Sequence, residues 1–207
     1  MTVFSSPTGR SCGSAKTVFI AGESGQVWRI AEGLVRLDRG DGLERQTVQI
    51  AAPGDLIGTE ALCQQAYRFT ATALTPCLVE PVSVGGAEAR ALLLQQALMQ
   101  QQTRSLDMAA LRTGTVFQRI THFLSLLGIE WKAVQARAHA DSVRALLPAL
   151  REIAQVVDAK TETVCRVLGQ LLPPRSKKPA LVHSPGTVRV AVVGRGSRKP
   201  AVQAGLV

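Results

Sequence analysis

The sequence predicts an α+β chain: a small antiparallel β-roll, then one long helix, then two short helices of helix-turn-helix type. Three observations carry this. Between Thr17 and about Val84, short runs alternate apolar and polar residues between Gly and Pro turns. From Ala87 to Arg112, Ala, Leu, Gln, Met and Arg predominate with no Pro or Gly among them. Finally, LLPALREIAQVV and KTETVCRVLGQLL read as helices with Asp158 and Ala159 at the turn between them.

Residues 1–16 read as a flexible N-terminus and 17–86 as the roll. Within the roll, VWRIAEGLVRL (27–37) nearly alternates around Gly33, and RQTVQIAAPGDLIG (45–58) repeats the pattern before a Pro-Gly-Asp turn. A helix of about 25 residues rising about 1.5 Å each runs to about 37 Å, long for packing inside one small domain. Its apolar residues, among them Leu94, Leu98, Leu106, Met108, Ala109 and Leu111, recur at helical spacing, so a partner helix is expected to cover them. Gly114 marks a hinge, and VFQRITHFLSLLGIEW resumes a helix with Val116, Ile120, Phe123, Leu124 and Leu127 inward. A loop is expected at 132–144, the two short helices after it, and a strand-like wing at 187–193. The expected division is therefore 87–112 for the dimerisation helix, 113–193 for a winged helix-turn-helix and 194–207 for a basic flexible tail.

The bulk numbers narrow the function. The chain has 207 residues, 46% of them hydrophobic, enough for a real core. Its net charge of +9 lies wholly beyond position 130, where 13 Lys and Arg stand against 4 Asp and Glu. That asymmetry points to a C-terminal part that meets a polyanion, either as a DNA reader or as a general RNA- or polyanion-binding tail beside an inert roll. No apolar run is long enough for a membrane span and no secretory signal opens the chain, so the expected location is the cytoplasm, with no membrane partner. The cysteines at 12, 63, 77 and 165 are far apart in sequence, without metal-ligand spacing, and read as isolated reduced thiols. No catalytic triad, metal-protease signature or phosphate loop occurs, so no enzyme and no metal site are expected.

The second short helix carries the sharpest pattern. With 3.6 residues per turn, Val164, Val167, Leu168 and Leu171 form one stripe, and Thr161, Glu162, Cys165 and Arg166 share the other face. A Glu and an Arg one turn apart form either an ordinary exposed ion pair or a pair of base readers.

Taken together, GQVWRIAEGLVRL, APGDLIGTEAL and RFTATALTPCLVEPV, the long helix, and REIAQVVDAKTETVCRVLGQL resemble, in that order, the Crp/Fnr family of bacterial transcription regulators. The resemblance covers roughly residues 20 to 172. It implies a cyclic-nucleotide-binding-type jelly roll, a homodimer formed along the long helix, double-stranded DNA and RNA polymerase as partners, and a palindromic promoter site. Within it, the E-T-V-x-R core makes Glu162 and Arg166 the base readers, flanked by Lys160, Thr161 and Thr163, with Cys165 a small filler on the same side. The sequence departs from the family at three places: Asp158 replaces a turn Gly, Lys160 replaces a capping Ser or Thr, and Thr161 replaces a second base-reading Arg. Asp tolerates the left-handed conformation that such a turn requires, and Thr161 is the alternative cap.

The effector pattern also departs. Nucleotide binders of this family carry Gly-Glu-Leu and then Arg-Ser or Arg-Thr. Here Gly58 is followed by Thr59 and Glu60, and Arg68 by Phe69 and Thr70. Arg68-Phe69 looks like the cyanobacterial nitrogen-control branch, in which that pair helps bind 2-oxoglutarate; on the long helix, Gln100 and Ser105 stand where that branch has its Arg and Glu, with Arg104 nearby. Two readings of the roll remain: a small anionic effector, 2-oxoglutarate-like or a cyclic nucleotide, held by Gly58, Thr59, Glu60, Arg68, Phe69, Thr70 and Arg104, or an effector-free or partner-regulated roll. His122, His139 and His183 lie outside the roll, which argues against haem.

Overall fold

Alternation becomes two facing sheets. The computed structural model describes residues 9–40, 42–130 and 143–172. Eight strands are present among them: β1 Arg10–Cys12, β2 Thr17–Phe19, β3 Trp28–Glu32, β4 Val35–Arg39, β5 Gln46–Ala51, β6 Leu56–Ile57, β7 Thr70–Ala73 and β8 Cys77–Pro81. They form two four-stranded sheets, ordered β1-β8-β3-β6 and β2-β7-β4-β5, and the strands pair antiparallel throughout. The roll thus begins at Arg10: the boundary expected at Thr17 falls inside it, because Arg10, Ser11 and Cys12 pair with Val79, Leu78 and Cys77. A three-residue edge strand is too short to show a period, which is why it was not legible.

Gly33 does not close a hairpin; it turns the chain from one sheet into the other, since β3 and β4 belong to different sheets. Its φ of 81° and a virtual Cβ 2.3 Å from the Pro76 carbonyl admit only glycine there. The interior between the sheets is filled by Ile30, Val35, Leu37, Ala51, Ile57, Ala71, Ala73 and Val79, with Phe19 stacked on Tyr67 at 3.9 Å between ring centroids.

Among the described residues the helices α1 Ala87–Arg112, α2 Val116–Leu126, α3 Leu150–Val156 and α4 Thr161–Leu171 follow, and residues 143–146 are helical as well, so the loop expected at 132–144 ends before 143. α1 matches its expected span. The turn after it contains Gly114 at φ 79°, and α2 opens on a capping box in which Thr115 Oγ1 accepts from the Gln118 N–H and Gln118 Oε1 accepts from the Thr115 N–H.

A second core joins roll and helices. Leu34, Ile50, Ala52 and Leu74 of the roll pack with Leu111 of α1, Ile120, Phe123 and Leu124 of α2, Ile153 and Val156 of α3, and Val164, Leu168 and Leu171 of α4. The stripe expected on α1 therefore divides: Met108 and Leu111 are buried within the chain, whereas Leu94, Leu98 and Leu106 are exposed together with Leu92 and Met99. The loop expected at 132–144 lies mostly outside the described residues, and the wing and tail lie wholly outside them.

Candidate functional site

α4 is anchored by its apolar side. Val164, Val167, Leu168 and Leu171 are buried, which leaves Thr161, Glu162, Cys165 and Arg166 exposed on the outer face, beside Lys160, with Thr163 half-buried. Gln170, one turn beyond Arg166, extends this face. The helical period that places Glu162 and Arg166 on this face reaches Gln170 as well. Among the described residues, no hydrogen bond or ion pair engages the side chains of Glu162 or Arg166, with each other or with any neighbour. The two charges are held on one face without being consumed by the fold.

The turn before α4 is fixed. Asp158 has φ 46°, the left-handed conformation expected of it, and the Ala159 N–H donates to the Ala154 carbonyl at 3.0 Å, so α3 ends in a Schellman closure. From α2, Arg119 Nη1 donates to the carbonyls of Val157 and Asp158 at 2.7 and 2.9 Å, tying down the same corner. Lys160 is the N-cap of α4, and no side chain caps that end; Thr161 is the first helical residue and does not serve as the alternative cap. The amide groups at the start of α4 are thus available to an incoming acceptor.

A buried charge cluster links the roll to α3. Arg36, on β4 and 1% exposed, donates through Nε to Asp38 Oδ2 at 2.9 Å, and through Nη1 to the Glu152 carboxylate and to Gln155 Oε1 at 3.0 Å. Thr47 Oγ1 donates to the other oxygen of Asp38 at 3.1 Å, and Arg112 donates to the Thr47 carbonyl. Nothing local in the sequence announces a bond between positions 116 residues apart.

The roll meets α1 along one row. Arg29 donates to Gln96, and Gln100 closes a two-bond pair with the Leu56 backbone: its Oε1 accepts from the N–H at 2.7 Å and its Nε2 donates to the carbonyl at 2.9 Å. One turn on, Arg104 donates to Asp55 at 2.7 Å and to Asp107 at 2.6 Å, and Asp107 also bonds His122 Nε2 at 3.0 Å. Burial works against the charged form of Arg104, but the two carboxylates outweigh it and hold its pKa above the ordinary arginine value.

Between roll and α1 lies a cavity of about 60 Å³, lined by Phe19, Leu37, Gln49, Leu56, Ile57, Gly58, Thr59, Glu60, Phe69, Ala97, Gln100 and Gln101. Small-molecule sites occupy roughly 300–1,000 Å³, so in this conformation the space holds only a few atoms. Tyr67 limits it: a Cβ on Gly58, at φ 68°, would stand 2.6 Å from the Tyr67 ring, and the Tyr67 hydroxyl donates to the Gln26 carbonyl at 2.7 Å.

Comparison with known proteins bears on both regions. Residues 10–96 match the cyclic nucleotide-binding domain family. The transcriptional regulator LdrP of Thermus thermophilus is 33% identical over 117 residues, 54% of this chain and 60% of LdrP. The chain thus spans about three-fifths of the length of the curated relatives it matches. A CRP-family transcriptional regulator of known structure from the same organism is 28% identical, with a TM-score of 0.58 over 78% of this chain and 83% of that one. The fold is similar to that of this CRP-family regulator of known structure. FixK2 from Bradyrhizobium japonicum, at 23% identity, TM-score 0.57 and 79% and 83% coverage, shares the fold.

Within this fold, the residues expected to hold an effector separate. Gly58, Thr59, Glu60 and Phe69 line the cavity, whereas Arg68, Thr70 and Arg104 do not. Arg68 is exposed, and its backbone N–H donates to Glu60 Oε1 at 3.1 Å. Thr70 Oγ1 accepts from the Ala21 N–H, and Arg104 is held by two carboxylates. The side chain expected to anchor an anion thus stands outside the cavity, whose lining contains no cationic side chain and one carboxylate, Glu60. Among the described residues no helix is long and apolar enough to cross a membrane.

Proposed function

We propose that this chain is a sequence-specific DNA-binding transcription regulator that acts as a homodimer on a palindromic site. The observation that carries the proposal is the outer face of α4, where Glu162 and Arg166 stand exposed over a buried apolar anchor, with no ion pair to either among the described residues. In a major groove, Arg166 would bond guanine O6 and N7, and Glu162 would accept from cytosine N4. Lys160, Thr161 and Thr163 would meet phosphate at the uncapped start of the helix, and Cys165 would fill space beside the readers. The dimer reading is supported by Leu92, Met99 and Leu106 of α1, exposed and spaced seven residues apart, the period of a helix pair. Two-fold symmetry then sets half-sites about one DNA turn apart. RNA polymerase is the expected further partner of such a dimer.

Control through the roll is part of the proposal. The row Gln96, Gln100 and Arg104 ties α1 to the roll, and the Arg36 cluster ties the roll to α3, so a change in the roll would bias the spacing of the two α4 helices. The closed cavity favours an effector-free or partner-regulated roll over one that holds 2-oxoglutarate or a cyclic nucleotide through Arg68.

Random-site selection followed by gel shift tests the reading. A palindromic consensus is expected, and Arg166→Ala should weaken it selectively; binding without sequence preference would overturn the proposal. Truncation after Leu172 separates it from a general polyanion binder: a reader keeps its preference with a smaller salt slope, whereas a tail-driven binder loses nearly all affinity.

A further inference from the structure

Cys12 and Cys77, separated by much of the roll in sequence, are direct partners across the β1–β8 ladder. Opposed residues of an antiparallel pair project to the same side, and both thiols point into the roll core, each 4% exposed and each free. The expectation of four isolated thiols is corrected at these two positions, while Cys63 and Cys165 are exposed elsewhere. Direct antiparallel partners have Cα atoms roughly 4.5–5.5 Å apart, within the roughly 4.4–6.8 Å that a disulfide spans, so closure needs side-chain rotation rather than movement of the strands. Gly33 makes this approach fit: its virtual Cβ would stand 2.8 Å from the Cys77 Cβ, so any larger residue would displace the pair.

We propose that Cys12 and Cys77 form a reversible intramolecular cross-strand disulfide, a redox modification site in the sensor roll. The oxidant is a low-molecular-weight disulfide or a hydroperoxide. With a disulfide RSSR, one cysteine loses its proton and attacks a sulfur, expelling RSH after proton uptake. The second cysteine then loses its proton and attacks the protein-bound sulfur, expelling the second RSH; two thiols are oxidised as one RSSR is reduced. With a hydroperoxide ROOH, the first thiolate takes the distal oxygen to become a sulfenic acid and releases ROH, and the second thiol displaces water from it. In a reducing cytosol the pair rests as thiols and closes under oxidant, the behaviour of transient rather than structural disulfides.

Two features set the kinetics. Burial, with Cys12 beside it, pushes the Cys77 thiol up to about 11, so its thiolate is scarce at neutral pH. β1 is a three-residue edge strand paired to β8 alone, so local opening is the route by which an oxidant enters. Once formed, the bond fastens this edge strand to β8, which leads through residues 82–86 into α1. Closure of the pair is independent of what α4 binds.

The test uses the full chain carrying Cys63→Ser and Cys165→Ser, so that only the pair remains. Incubation at mildly alkaline pH with excess oxidised glutathione should give a monomer lighter by two hydrogens, with no thiol left to alkylate after denaturation. Peptide mapping should link the segments around positions 12 and 77, and dithiothreitol should restore both thiols. The oxidised form should melt about 10 °C higher than the reduced form. Two alkylatable thiols after exhaustive oxidation, stable mixed disulfides with glutathione, or a covalent dimer linked through these cysteines would each overturn the proposal. Peptide mapping on this background leaves the pair itself unmutated, so the outcome does not depend on how Cys12→Ser or Cys77→Ser folds.

Discussion

In the roll and along its junction with α1, charged side chains are turned inward and bonded: Arg36 of β4 to Asp38, Glu152 and Gln155, and Arg104 of α1 to Asp55 and Asp107. On α4 the charges of Glu162 and Arg166 are turned outward and bonded to nothing among the described residues. A guanidinium that completes its hydrogen bonds within the fold works as a joint. One held on a rigid helix with its donors open is a surface prepared for an external acceptor. The likeness between two arginines in the sequence thus conceals opposite uses, and substituting each separates them.

The largest effect is expected from Arg36→Ala. It leaves buried Asp38 with only the more distant Arg45 Nε, at 3.8 Å, and parts β4 from α3, so urea unfolding should show a loss of about 3 kcal/mol. An unchanged midpoint would mean that the joint carries no load. Arg166→Ala should leave unfolding unaltered but weaken specific DNA binding by about 1–3 kcal/mol, measured by titration against the selected site and a scrambled one. Equal losses on both DNAs would reduce Arg166 to a phosphate contact.

A subtler effect comes from Cys77. Because its folded pKa is raised to about 11 from an ordinary value of 9.0, the folded state keeps a proton that the unfolded chain releases. Stability is fully present below about pH 9 and falls as pH rises toward about 11, and Cys77→Ala should flatten that part of the profile in chemical denaturation. The smallest effect belongs to Arg68→Ala. Its side chain is exposed, so stability should change by no more than about 0.5 kcal/mol, and any thermal shift with cyclic AMP or 2-oxoglutarate should be the same as in the parent chain. Loss of such a shift would restore Arg68 as an anchor.

What was legible follows from what is periodic. The α1 span, the two short helices and the outward face of α4 were readable because buried aliphatic residues recur every three or four positions and assign the remaining residues to solvent. The left-handed turn at Asp158 was readable because few residue types tolerate it. The outward direction of Arg68 was not readable because residue type shows what a side chain can bind and not which way it points; its neighbours Tyr67 and Phe69 take the inner side. The Arg36–Glu152 bond and the Cys12–Cys77 pair join distant positions through sheet order and register, and no local pattern encodes those. β1 was lost for lack of length.

The row Gln96, Gln100 and Arg104 has a mechanical consequence. Advancing a helix by one residue moves it about 1.5 Å and rotates it by roughly 100°, which would swing all three side chains away from Arg29, Leu56 and Asp55 together. A one-residue screw of α1 along the roll would therefore break the three contacts as a set rather than one by one.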